Sequence, residues 1–230
     1  MRDALPVAFV LALCPVVALF AGGPDGPLAR TAERISAERS MGLFFEPSVH
    51  AFTAARPWLM HLAEFGYAAI HLPVMLGVLA WVWLRRPGSF RLARNTFVIA
   101  QALIVAGYVI VPTAPPRMVA SLGFDPALGS GLSGLDRLAM SPYAAMPSGH
   151  AAFALIAAGI VIVLVRRWWV RALAALYPVL ILLEVVATGN HLWLDAAAGA
   201  IAAAAGLAGA LTIAYRPGSL LHPVGDTASG

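Results

Sequence analysis

Six stretches of about 17 to 24 mostly apolar residues follow one another along this chain, and that pattern constrains its fold more than any other feature. They run from Leu5 to Ala21, His61 to Leu84, Thr96 to Pro112, Ser148 to Val165, Trp168 to Thr188 and Leu192 to Tyr215. A helix needs roughly 20 such residues to cross the hydrocarbon core of a bilayer. Open strands cannot cross it, because their backbone groups would go unpaired in lipid. The expected fold class is therefore all-α: a polytopic membrane protein built as a six-transmembrane-helix bundle. Composition agrees, with 11% of residues charged against about 25% in ordinary soluble domains. Arg2 ahead of the first run and Ala21-Gly22-Gly23 behind it outline a signal peptide, but the run is longer than most signal cores, which favours a retained helix. Residues 1–216 read as one membrane domain and 217–230 as a disordered cytoplasmic tail rich in small residues.

All 15 basic residues are arginine, so a Schiff-base or P-loop lysine is excluded and any cationic site must use guanidinium groups. The net charge of +4 is no nucleic-acid footprint, because most arginines stand in short segments beside apolar runs, where they act as topology signals. Cys14 is alone, which rules out an intrachain disulfide and a cysteine-based metal site. Arg2, Arg85, Arg86, Arg91, Arg94, Arg166, Arg167, Arg171 and Arg216 fall on one side of the alternating spans, where the short loops carry no acids. Arg30, Arg34, Arg39, Arg56, Arg117 and Arg137 fall on the other, in longer loops that also carry acids. The positive-inside rule then puts both termini in the cytoplasm of a multi-pass plasma-membrane protein. Residues 22–57, charged but with apolar residues at Met41 to Phe45 and Phe52, suggest an amphipathic helix lying on the outer leaflet.

Three polar strings emerge on that outer face: Ala114-Pro115-Pro116-Arg117, Pro147-Ser148-Gly149-His150 and Gly189-Asn190-His191-Leu192-Trp193-Leu194-Asp195. Pro147 suits the first turn of a helix, whose free N–H groups form an anion site that Gly149 lets a phosphate approach closely. Ser148 adds a hydroxyl, and His150, one turn in, can hand a proton to a leaving oxygen. A plain helix cap beside a crevice histidine accounts equally well for this tetrapeptide. His191 and Asp195, at i and i+4, share a helical face, so the carboxylate can accept one ring N–H while the other nitrogen attacks phosphorus. The bland alternative is a structural His–Asp hydrogen bond closing a helix end, with Asn190 as N-cap and Gly189 ending the preceding helix. An intramembrane carboxylate is costly enough to favour the functional reading. Arg117, stiffened by two prolines, presents a planar fork of donors to phosphate oxygens, though alone it could bind lipid headgroups.

These strings, in this order and on these spans, resemble the type 2 phosphatidic acid phosphatase superfamily, whose six-helix core is shared with vanadium haloperoxidases and bacterial acid phosphatases. The resemblance covers about Tyr108 to Gly199 by motif. It implies that His191 is the nucleophile forming a phosphohistidine, Asp195 its orienter and His150 the general acid. Arg117, Ser148 and Gly149 would hold the phosphoryl oxygens. Ile110 and Met118 replace the lysine and proline of the family's first motif, and Glu184 and Val185 replace the Ser-Arg of its third. Pro-Pro-Arg and Thr-Gly-Asn-His make the chain more similar to the branch of inositol phosphorylceramide synthases and related lipid phosphotransferases. Arg137 is a candidate to replace a lost cation, and Glu184 is expected to point away from the site or pair with an arginine.

The expected activity is hydrolysis of a lipid phosphomonoester or diphosphate at the extracytoplasmic face, with no metal or cofactor. The partners are the lipid phosphate substrate and the surrounding membrane lipids, not nucleic acid. Transfer of a phospho-headgroup to an acceptor alcohol is the nearest alternative. A proton-coupled transporter using the buried His and Asp residues is the rival from another class.

Overall fold

The protein is described here by a computed structural model covering residues 4–18, 22–125 and 141–214. Within those residues it is helical, in the order α1 (Leu5–Ala18), α2 (Asp25–Ser40), α3 (Glu46–Ala54), α4 (Pro57–Ala69), α5 (His71–Arg85), α6 (Pro87–Ile110), α7 (Gly149–Leu164), α8 (Trp168–Ala187) and α9 (Trp193–Ala214). Pro57 and Pro87 stand in the first turns of α4 and α6, where a missing N–H costs nothing. By length and composition α6, α8 and α9 can each cross a membrane, and the bent pair α4–α5 makes a fourth. The apolar helices α1 and α7 are shorter.

The second apolar run is thus not the single straight span expected from His61 to Leu84. It breaks at Ile70 and bends by 46°. The cause is Pro73, the third residue of α5. Its nitrogen cannot donate to the carbonyl of Ala69, and its ring crowds that carbonyl, so the ladder is interrupted there.

The long helix α6 is central and packs against α1, α5, α7 and α9. Phe97, Ala100, Ile104, Met75, Val82 and Ala152 are buried around it. Small residues set how near the helices come. A Cβ on Gly206 would meet the Thr96 carbonyl oxygen at 2.6 Å and the Ala100 Cβ at 2.9 Å, and one on Gly199 would collide with the Ser148 carbonyl. Only glycine allows α9 to lie this close to α6 and to the start of α7. The small residues of Ala196 to Ala210 therefore serve contacts within the chain.

Residues 22–57 form two helices, α2 and α3, instead of one, and the buried faces of both carry polar residues. Thr31, Glu38, Glu46, His50 and Thr53 point inward, whereas Met41, Leu43, Phe45 and Phe52 are exposed. The expectation of a helix resting on lipid accounts for the exposed apolar residues but not for the inward ones. The inward residues meet backbone donors and acceptors at the ends of the bundle helices. Thr31 Oγ1 donates to the Ala114 carbonyl at 2.7 Å, and Arg30 Nη1 to that of Pro112 at 2.9 Å. His50 Nδ1 donates to the Ala187 carbonyl at 2.7 Å, and the Asp125 N–H donates to its Nε2 at 3.0 Å.

Candidate active site

The three polar strings meet at one end of the bundle. Arg117 lies in a 3₁₀ turn, Pro116–Met118, and its backbone N–H donates to the Gly189 carbonyl at 2.9 Å. Its side-chain Nε donates to Asn190 Oδ1, also at 2.9 Å, so the first and third strings are joined twice. Gly189 (φ 66°) ends α8 in the left-handed region, and the N–H groups of Asn190 and His191 both reach the Val185 carbonyl, at 3.1 and 3.2 Å. Asn190 is not the N-cap expected of it. Its amide bridges the Thr188 hydroxyl and the guanidinium, which fixes the direction of Arg117.

His191 precedes α9. Its Nδ1 donates to the Ala145 carbonyl at 2.8 Å, which puts the ring hydrogen on Nδ1 and leaves Nε2 with its lone pair. Ala145 is itself held by pairing with Thr113: the Ala145 N–H donates to the Thr113 carbonyl at 3.1 Å, and the Thr113 N–H to the Tyr143 carbonyl at 2.8 Å. The Asp195 carboxylate, expected to take that ring hydrogen, lies 3.8 Å from Nδ1, too far for a hydrogen bond. It sits in the first turn of α9, where unpaired backbone donors compete for it. Oδ2 accepts from the Leu192 N–H at 2.9 Å, and Oδ1 accepts from Arg34 Nη1 at 2.6 Å. Asp195 is fully buried.

The second string begins α7 two residues later than expected, at Gly149, so Pro147 lies before the cap and not in the first turn. Ser148 is the N-cap, its Oγ accepting from the Ala151 N–H at 3.3 Å, while its own N–H donates to the Asp195 carbonyl at 2.9 Å. It is buried in this capping role. Gly149 opens the helix, and the Tyr108 hydroxyl lies 3.4 Å from where a side chain there would begin. His150 stacks on Tyr67 with ring centroids 4.1 Å apart and lies 5.5 Å from the His191 ring. His150 Nε2 donates to the Tyr67 carbonyl at 3.2 Å, as does His71 Nδ1 at the same distance. The His71 and His150 rings are 3.7 Å apart.

Tyr67 and His71 were absent from the sequence reading. They lie in what looks like an uninterrupted apolar run, and only the break at Ile70 turns them toward the site. A tyrosine and a histidine within an intramembrane run were the available signal.

A second omission is the frame over α9. Arg34 of α2 supplies the cation for Asp195. Beside that pair, Glu46 Oε1 accepts from the Trp193 N–H at 3.1 Å and Glu38 Oε1 from the Leu194 N–H at 3.2 Å. Three successive N–H groups at the start of α9 therefore each meet a carboxyl oxygen, two of them from α2 and α3. Burial and the neighbouring Glu46 push the Glu38 carboxyl up to about 8. Burial also lowers the Arg34 guanidinium from its ordinary value, opposed by the charge of Asp195.

Of the positions where the family pattern is broken, Met118 lines the cavity described below, and the others face away from it. Ile110 is exposed on the flank of α6, and Val185 is fully buried. The Glu184 carboxylate packs into the space a side chain on Gly66 would need, facing α4. Arg137 lies outside the described residues.

A cavity of about 840 Å³ joins these parts. Arg117, Gly149, His150, Asn190 and His191 line one end with Tyr67 and His71, and Leu11, Pro15, Leu72, Pro73 and Phe153 line an apolar extension. Ser148 and Asp195 do not reach it. Among the described residues, Arg117 is the one guanidinium in its wall. The arrangement offers a basic imidazole nitrogen, a second imidazole, a fixed cation and a helix N-terminus around one space. No curated protein and no solved structure matches the chain significantly. A family profile described as the PAP2 superfamily matches residues 33–209, from within α2 to the last helix, and the chain belongs to that superfamily, whose members are typically phosphatases or phosphotransferases.

Proposed function

We propose that the protein is a membrane-embedded lipid phosphatase whose six apolar runs span the bilayer, with both termini cytoplasmic and the cavity opening at the extracytoplasmic face of the plasma membrane. One observation carries this reading: Arg117, His150 and His191 line the polar end of a cavity whose remaining walls are mostly apolar. Such a space suits a phosphate carried on a long hydrocarbon.

In the proposed reaction Arg117 and the N–H groups opening α7 hold the phosphoryl oxygens. The Nε2 lone pair of His191 attacks phosphorus, forming an N–P bond as the P–O bond to the lipid breaks. His150, which takes up a proton on Nδ1 once the anionic phosphate is bound beside it, gives that proton to the leaving oxygen while Nε2–H stays on the Tyr67 carbonyl. Water, losing a proton to His150, then cleaves the N–P bond and releases phosphate. Asp195 supports His191 through the frame at the start of α9, and Ser148 supports it by holding α7 to that frame. The residues require no metal for these steps.

Purified protein in detergent, given short-chain phosphatidic acid or a polyprenyl diphosphate, is expected to release phosphate and to form an acid-labile, base-stable phosphoprotein, both lost in His191→Ala. Unchanged release by that variant would remove the nucleophile. An added lipid alcohol that captures the phosphoryl group instead of water would make the enzyme a phosphotransferase, as the Pro-Pro-Arg and Thr-Gly-Asn-His turns suggest. Transport without phosphate release would return it to the class of carriers.

A further inference from the structure

A continuous run of hydrogen bonds through α2 joins the first polar string to the third. Ala114 opens the first string, and both of its backbone groups dock on α2. Its N–H donates to the Pro27 carbonyl at 3.3 Å, and its carbonyl accepts from Thr31 Oγ1 at 2.7 Å. The same hydroxyl oxygen accepts from Arg34 Nη2 at 3.3 Å. Arg34 Nη1 donates to Asp195 Oδ1 at 2.6 Å, and Asp195 Oδ2 takes the N–H of Leu192, the residue after His191. Thr31 and Asp195 are fully buried, and the Arg34 side chain is 13% exposed. None of the three lines the cavity, so none touches a substrate held there. Each side chain suits a double task. A hydroxyl donates one hydrogen bond and accepts others, so Thr31 serves the Ala114 carbonyl and the guanidinium at once. A guanidinium holds its donors in a rigid planar fork, so Arg34 bridges Thr31 and Asp195 with two nitrogens, where an ammonium has the charge but not the fork. Neutralising Asp195 would need only one of those nitrogens.

We infer that Thr31 and Arg34 are positioning residues, which hold the phosphate-binding Arg117 in register with the nucleophile His191. The inference rests on the lipid-phosphatase reading for what those two residues do. The bonds of Arg117 to Gly189 and Asn190 join the two strings at one place, about which they are free to pivot. The run through α2 joins them at a second place, and two points of attachment remove the pivot. Register matters because a shift of about 1 Å between a nucleophile and the group it attacks costs on the order of a hundredfold in rate.

The test is a double-mutant cycle on the full chain in nanodiscs, with short-chain phosphatidic acid as substrate. Thr31→Val keeps the shape and loses the hydroxyl, and Arg34→Lys keeps the charge and loses the fork. Each should lower kcat about tenfold and change KM by less than about threefold. The double variant should be about as slow as either single one, and not about a hundredfold slower, because both substitutions break the same run. Thr31→Ser should bring kcat back to within about threefold of the wild type. Calorimetric binding of inorganic phosphate should stay within about threefold in every variant, since Arg117 keeps its own contacts, whereas a general loosening of the site would weaken it as well. Losses that multiply in the double variant would overturn the inference, as would wild-type kcat in either single variant or phosphate binding that falls in parallel with kcat. If Thr31→Val does not fold, Arg34→Lys decides alone through kcat and phosphate binding. No phosphate release by the wild type would overturn the phosphatase reading, and this inference with it.

Discussion

The two helices that carry the motif histidines begin in opposite ways. The N-terminus of α7 is closed by a single hydroxyl, that of Ser148, and its first turn holds no acid. That of α9 is closed by three carboxyl groups, from Asp195, Glu46 and Glu38. A helix N-terminus attracts anions, but one whose N–H groups already meet carboxyl oxygens has no free donors for another. In the proposed reaction the phosphate therefore sits against α7, and the start of α9 serves as a clamp for His191, two residues before that helix, whose ring meets the Ala145 carbonyl. Binding and positioning are thus divided between two ends made of the same backbone groups.

The largest effect should come from making the open end resemble the closed one. Gly149→Asp places a carboxylate at the start of α7, where the Tyr108 hydroxyl leaves ordinary contact room for the first side-chain carbon. Phosphate release is expected to fall by about a thousandfold, as when an oxyanion contact is lost, while the thermal midpoint in detergent changes little. Activity within a few-fold of the wild type would mean that the phosphate does not sit there.

Opening the closed end should be milder in rate but severe in stability. Asp195→Asn removes the anion facing Arg34 and leaves a mostly buried guanidinium without its counter-charge, at a cost of about 3 kcal/mol. A thermal midpoint equal to that of the wild type would show that the clamp is not an ion pair in function.

The smallest effect concerns pH. In the fold the Glu38 carboxyl titrates at about 8, above its ordinary 4.5, so the folded state binds the extra proton between those values. Its contribution is fully present below about 4.5 and is lost as pH rises to about 8. Thermal unfolding of the wild type should therefore weaken across that window, and Glu38→Gln should flatten the slope. An unchanged slope in the variant would assign the pH dependence to another group.

Much of the site was legible because its residues are short-range signals. Pro147 to His150, and Gly189 followed two residues later by His191, announce helix ends, and local spacing decides what lies at a helix end. Arg117 was legible by its double proline. Asp195 was found as a residue but not as a contact, since the i, i+4 rule describes a helix interior and His191 stands before α9 begins. Tyr67 and His71 were hidden because hydropathy averages over a window and does not register the break that Pro73 causes.

By itself the sequence determined the class of structure: apolar runs that must satisfy their own backbone bonds become helices, and arginines and polar strings collect at their ends. The tertiary structure decided which polar groups touch. Arg34 reaches Asp195 across 161 positions of chain, Ala145 replaces Asp195 as the partner of His191, and Tyr67 and His71 line the same cavity as Arg117. Burial makes such partners obligatory, but which partner is nearest depends on how the helices pack, and that is set by the small residues and breaks distributed over the whole chain.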